Sequence, residues 1–148
     1  MSIHKPKMIL FDYGHTLLYE IGHNAEKGNK AIYQYIRSNP KNISFQEFNK
    51  IVNSTFKKIN ECGNGIDICE KNFLRLVYGY MNIELSVSLE EAESIIWNGV
   101  SEGDIMPNAN KILDYLNKND IRSGVISNMC WSGKSLKDRL NRLLPNNK

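Results

Sequence analysis

Two apolar runs in this chain end on polar groups able to do chemistry. The first, Met8-Ile9-Leu10-Phe11, stops on Asp12, and Gly14, His15 and Thr16 follow before the chain turns apolar again at Leu17-Leu18. The second, Val125-Ile126, leads into Ser127-Asn128. A carboxylate at the end of a strand is able to act as a covalent nucleophile or as a ligand for a hard cation. A hydroxyl or amide beside it is able to hydrogen-bond an anion. In open α/β sheets, ligands sit outside the carboxyl ends of the strands. If the two runs are neighbouring strands, Asp12 and Ser127 meet at one site although most of the sequence separates them. Each also has a plainer reading. Asp-x-Gly after a strand is a common turn in which the aspartate bonds the backbone, and a serine at a strand end is commonly a cap.

The elements that must position these groups are legible as changes of period. Lys7 to Phe11 reads as a short buried parallel strand. From Asn24 the pattern is helical, with Ala31, Tyr35 and Ile36 on one face, and it stops before Pro40. Ser44 with Glu47 forms a capping-box signature for a second helix carrying Phe45, Phe48, Ile51, Val52, Phe56 and Ile59. Gly63-Asn64-Gly65 ends it. A third helix is expected from about Asp67 to Met81, and a fourth opens on the Ser88/Glu91 signature. Residues 24 to about 100 therefore read as a helical block. After Gly103, Pro107-Asn108 opens another helix through Leu116. A second buried strand follows in "IRSGVISNMC", then a last helix over about Ser135 to Leu144.

Composition bounds the partners. The 148 residues suit one compact domain, or one with a small insertion. Nineteen basic and 16 acidic residues give a net charge of +3, and they are scattered, so no nucleic-acid surface is expected. No segment approaches the ~18 apolar residues of a membrane span, and the N-terminal apolar run, cut by Asp12, is not a signal peptide. Cys62, Cys69 and Cys130 are odd in number and form no CxxC pair, which fits structural thiols in a reducing cytoplasm. His15 reads as a loop residue, and His4 and His23 as solvated. Trp131 and Lys134 read as surface packing rather than cleft lining.

"ILFDYGHTLL" followed by "GVISNMCWSG" resembles the first two motifs of the haloacid dehalogenase superfamily, whose members are mostly phosphatases. The approach "IMPNANKILDYLNKNDIRSGVISN" and the helical block resemble the subgroup with an α-helical cap inserted after the first motif. The resemblance implies an α/β fold: a Rossmann-like core over residues 1–19 and 104–148, with an incomplete parallel sheet, and a helical bundle cap over 20–103. It implies that Asp12 attacks phosphorus and forms an aspartyl-phosphate, and that Mg²⁺ is held by Asp12 and the carbonyl of Gly14. It further implies that Thr16 steadies the loop through its hydroxyl, and that Ser127, with Asn128 beside it, binds a phosphoryl oxygen. The expected partner is a small phosphorylated metabolite.

The chain departs from that pattern in two places. The phosphatases carry a second aspartate two residues after the nucleophile, to protonate the leaving group. Here Gly14 stands there; the dehalogenase branch also lacks that acid, so Gly14 does not exclude hydrolysis through Asp12. The family also places a lysine and further acids after its second motif, and Lys134, Lys137 and Asp138 fall too early to match them. The sequence therefore reads as the first half to two-thirds of such a protein, a truncated product, a fragment or a natural short form. Two functions follow: a hydrolase acting through Asp12, or a non-catalytic module binding a ligand or partner. A receiver-type domain ranks last, since it would lack so long an insertion. With few strands to cover them, Ile9, Phe11, Val125 and Ile126 are expected to be exposed, giving self-association or marginal stability.

Overall fold

A computed structural model describes residues 5–62 and 68–145. His4, the Gly63-Asn64-Gly65 stop and the expected helix start at Asp67 lie outside the described residues. The chain is mixed α/β. Strand β1 (Met8–Asp12) is followed by β2 (Leu18–Tyr19), α1 (Ala25–Tyr33), β3 (Ile36–Ser38), α2 (Phe45–Cys62), α3 (Glu70–Met81) and β4 (Glu84–Leu85). Then come α4 (Leu89–Val100), β5 (Asp104–Ile105), α5 (Ala109–Lys118), β6 (Arg122–Ile126) and α6 (Gly133–Leu143).

The two strands read from the apolar runs are neighbours. β1 and β6 pair in parallel, with Met8 opposite Arg122, Leu10 opposite Gly124 and Asp12 opposite Ile126. Side chains of a strand alternate between faces, and the two faces have different fates. Ile9, Phe11 and Val125 are half-buried; Phe11 and Val125 pack with Leu113 of α5, Leu136 and Leu140 of α6, and Leu144. Met8, Leu10 and Ile126, on the other face, are 44, 53 and 59% exposed. The strands are thus not buried on both sides as their composition suggests. Among the described residues, exposure falls on Met8, Leu10 and Ile126, while Ile9 is half-buried and the helices cover Phe11 and Val125.

Two further strand pairs were not legible. β2 pairs antiparallel with β5, and β3 with β4. The first helix consequently ends at Tyr33, not before Pro40. Tyr35 turns out of it, its carbonyl accepting from the Ser86 amide at 2.8 Å, and Ile36–Ser38 extends to meet Glu84–Leu85, with Arg37 paired to Glu84 at 3.0 Å. The capping signatures also differ in outcome. Ser88 and Glu91 close the full reciprocal box, whereas at Ser44 the described bond is the Glu47 amide to the serine hydroxyl, at 3.3 Å.

The helical block has its own apolar core around Ile32, Phe48, Leu74, Val77, Met81 and Ile96. It is joined to the β1–β6 side by Trp131, which touches both cores. Helices α1 and α4 cross at two glycines. A Cβ on Gly99 would sit 2.9 Å from the Cα of Gly28, and one on Gly28 would sit 2.5 Å from a methyl of Val100. Alanine is the better helix former by about 1 kcal/mol, yet overpacking such a contact costs about 1–3 kcal/mol. Gly28→Ala and Gly99→Ala are therefore each expected to lower stability by up to about 2 kcal/mol net of propensity, read as a lower midpoint in equilibrium urea unfolding.

Candidate functional site

Asp12 ends β1, and Ser127 and Asn128 continue from β6, so the register that pairs Asp12 with Ile126 sets them side by side. Together with Gly14 they line one open cleft of about 590 Å³, whose walls include Tyr13, Glu20, Trp97 and Trp131. Neither the Asp12 carboxylate nor the side chains of Ser127 and Asn128 carry an ion pair or hydrogen bond among the described residues. These are polar groups presented to a cavity, not groups satisfied within the fold.

The loop after Asp12 is held by its own backbone. The Tyr13 carbonyl accepts from the amides of Leu17 and Leu18, at 3.2 and 3.1 Å, and the His15 amide donates to the Leu18 carbonyl at 2.8 Å. The Thr16 hydroxyl takes no part among the described residues, is exposed, and does not line the cleft, so backbone bonds do the work expected of it. The turn needs a left-handed residue, and His15 supplies it at φ +56°. Gly14, by contrast, has an ordinary φ, and a Cβ there would meet nothing within 4 Å. Neither backbone nor packing requires a glycine at 14.

Behind the cleft lies a buried network absent from the sequence reading. Arg139 of α6, its side chain 1% exposed, donates to Glu20 at 2.5 Å, to the Tyr13 hydroxyl at 2.8 Å and to Asn98 and the Ser101 carbonyl, each at 3.0 Å. Its guanidinium lies over the Trp97 ring, 4.5 Å from the centroid, and Trp97 stacks on Trp131 with centroids 5.1 Å apart. Gly103, at φ +66°, passes so close that a Cβ would strike the guanidinium. Burial, reinforced by the bond it donates to Glu20, pushes the Tyr13 hydroxyl up to about 12. Burial alone would raise Glu20, but the Ser101 and Tyr13 hydroxyls and the charge of Arg139 bring it below the usual carboxylate range. The sequence signal was faint: Ser135 and Arg139, four apart, both sit on the side of α6 that faces the protein.

Trp131 lines the cleft, contrary to its reading as surface packing. Lys134 does not; it pairs with Asp138 at 3.1 Å in solvent. His23 and Asp138 are exposed, as read. No lysine or arginine is among the cleft's lining residues. No group of three or more His, Cys, Asp or Glu side chains able to hold a metal occurs among the described residues, and none of the described helices is long and apolar enough to cross a membrane.

A second buried cluster ties the loop after Ser127 to the helical block. Glu93 of α4, fully buried, accepts from the Ser132 amide at 3.3 Å and the Ser135 hydroxyl at 3.2 Å, at the N-terminus of α6, where the helix dipole favours an anion. The amide of Glu70 donates to the Cys130 carbonyl at 2.9 Å. Burial, with the charge of Glu93 added, pushes the Glu70 carboxyl up to about 7, and burial raises the Tyr78 hydroxyl, with Glu70 adding to it.

Two outcomes follow from these networks. Arg139→Met leaves the Tyr13 hydroxyl and the Ser101 carbonyl without their buried donor and is expected to cost about 1–3 kcal/mol in denaturant unfolding. Arg139→Lys should recover little, because an ammonium cannot reproduce the fork to Glu20, Tyr13 and Asn98. For Glu70, the folded chain keeps a proton to about pH 7 that the unfolded chain releases near the ordinary 4.5. Stability therefore falls as pH rises between those values and stays lower above them. Glu70→Gln is expected to be more stable than wild type by about 2–3 kcal/mol at pH 8, with the gap closing toward pH 5. Urea midpoints across that range check the sign.

No protein-family model matches this chain, and no curated protein matches it.

Proposed function

We propose that the cleft is a hydrolytic site of the haloacid dehalogenase type, acting slowly on a small phosphorylated metabolite through Asp12. The observation that carries this reading is the meeting of Asp12, Ser127 and Asn128 on one cleft with no partners of their own among the described residues. A carboxylate oxygen of Asp12 bonds to phosphorus as the ester P–O bond breaks. The departing oxygen takes its proton from water, since Gly14 has none to give. Water then adds to the aspartyl-phosphate, releasing inorganic phosphate and the free carboxylate. Ser127 and Asn128 donate to the phosphoryl oxygens.

The donor set here is one unengaged carboxylate and the Gly14 carbonyl, which fits the mode in which Mg²⁺ keeps most of its waters and is shared with a substrate phosphate. Bound there, Mg²⁺ would neutralise charge on the phosphoryl oxygens. A second reading, binding without turnover, is favoured by one specific feature: the buried cation nearest the cleft, Arg139, is already bonded to Glu20.

Phosphate release from p-nitrophenyl phosphate with Mg²⁺ separates the two. Asp12→Asn is expected to reduce it to background, because an amide is a poor nucleophile. Release that persists unchanged in Asp12→Asn would overturn the assignment, and no release from wild type would leave the binding reading. Gly14→Asp is expected to leave stability within about 0.5 kcal/mol, since its Cβ would enter open space, and to leave the rate far below that of an ordinary phosphatase.

A further inference from the structure

We propose that the bare face of the β1–β6 sheet is a docking surface for a second copy of this chain, the two sheets meeting face to face about a two-fold axis with their strands antiparallel. Residues paired in a parallel ladder project to the same side, so Met8, Leu10 and Asp12 share this face with Arg122, Gly124 and Ile126. The face is an apolar strip with a charge at each end. Arg122 stands beside Met8, and Asp12 beside Ile126. Met8 and Leu10 lean over Gly124, where a Cβ would lie 3.0 Å from both, which makes the middle of the strip continuous.

Charge complementarity names the occupant. Four strand steps separate the two ends, about 13 Å at ~3.3 Å per residue. Antiparallel apposition of two copies sets the Arg122 end of each against the Asp12 end of the other, Arg122 lying over Ile126 and reaching diagonally to Asp12 on the adjacent strand, with the apolar side chains between. Parallel apposition would set like charges together. A surface whose residue i meets j while j meets i is what a two-fold interface requires. Three large side chains per copy fall well short of the ~800 Å² per partner of a standard interface, so the dimer is weak, with a dissociation constant on the order of 10–100 µM. Because Leu10, Asp12 and Ile126 also line the cleft, the dimer covers its mouth. The proposal does not rest on hydrolysis at Asp12.

Sedimentation velocity of the full chain from about 5 to 500 µM tests it, with circular dichroism to confirm that each variant is folded. Wild type is expected to pass from monomer to dimer and stop there. Leu10→Lys should remain monomeric throughout. Asp12→Arg and Arg122→Asp should each weaken the dimer at least about tenfold, by setting like charges together, and the double variant should return to within about threefold of wild type. A monomer at every concentration overturns the proposal. So does a dimer indifferent to Leu10→Lys, a double variant no better than the singles, or growth into larger species, which would mean pairing through the strand edges.

Discussion

One guanidinium holds the candidate site together. Arg139 reaches from α6 to the residue after Asp12, to the residue after β2 and to the last turn of α4, and it sits on the ring of Trp97. The cleft walls made by Tyr13, Glu20, Trp97 and Trp131 are arranged around it. A buried arginine is tolerable because its donors are met by a carboxylate, a hydroxyl, an amide oxygen and a carbonyl, leaving little unpaired polarity. Among the described residues no buried side-chain nitrogen or oxygen lacks a partner. The same saturation removes Arg139 from chemistry: a cation bonded this fully has little left for a ligand.

The helical block is fastened to the β1–β6 side by a second device of opposite sign. Glu93 caps α6 from within α4, so the carboxylate gains both hydrogen bonds and the favourable end of a helix dipole. Glu70 stands in the first turn of α3, yet burial, with the charge of Glu93 added, makes it hold its proton. The loop that begins at Ser127 therefore runs between two buried networks, one built on a cation and one on carboxyls. Its conformation, and with it the placing of Ser127 and Asn128, depends on both.

Much of this is legible in the sequence. The two strand-end clusters were read from short apolar runs bounded by polar residues, and their parallel pairing sets Asp12 beside Ser127. The helices α2 to α6 follow from periodicity and capping signatures, Ser88/Glu91 most completely. Three things were not legible, each for a physical reason. β3 and β4 are too short for a period, and their partners lie far apart in sequence, so tertiary pairing overrode the helical pattern at Tyr35 and Ile36. Arg139 counts as polar in any pattern, so its burial is decided by Glu20 and Trp97, which no local window contains. Which strand face the helices cover depends on where α5 and α6 pack, and composition alone made both faces of β1 look buried.

Under the proposed hydrolytic reading, the charge arrangement at the cleft decides between fast and slow chemistry. Asp12 stands in an open cleft beside solvent, where its repulsion of a phosphate charge at ~4 Å is about 1–4 kcal/mol, according to how much water screens it. A ligand donated hydrogen bonds by Ser127 and Asn128 offsets that much, so binding is within reach of these groups. Phosphoryl transfer asks for more, since it depends on positive charge against the transferring oxygens. Glu20 neutralises the nearest cation, Lys134 is turned to Asp138, and the lining contributes aromatic and apolar surface instead. Under the proposed reading, the nucleophile Asp12 stands without electrostatic support, which would suit the cleft better to holding a phosphorylated ligand than to turning it over quickly.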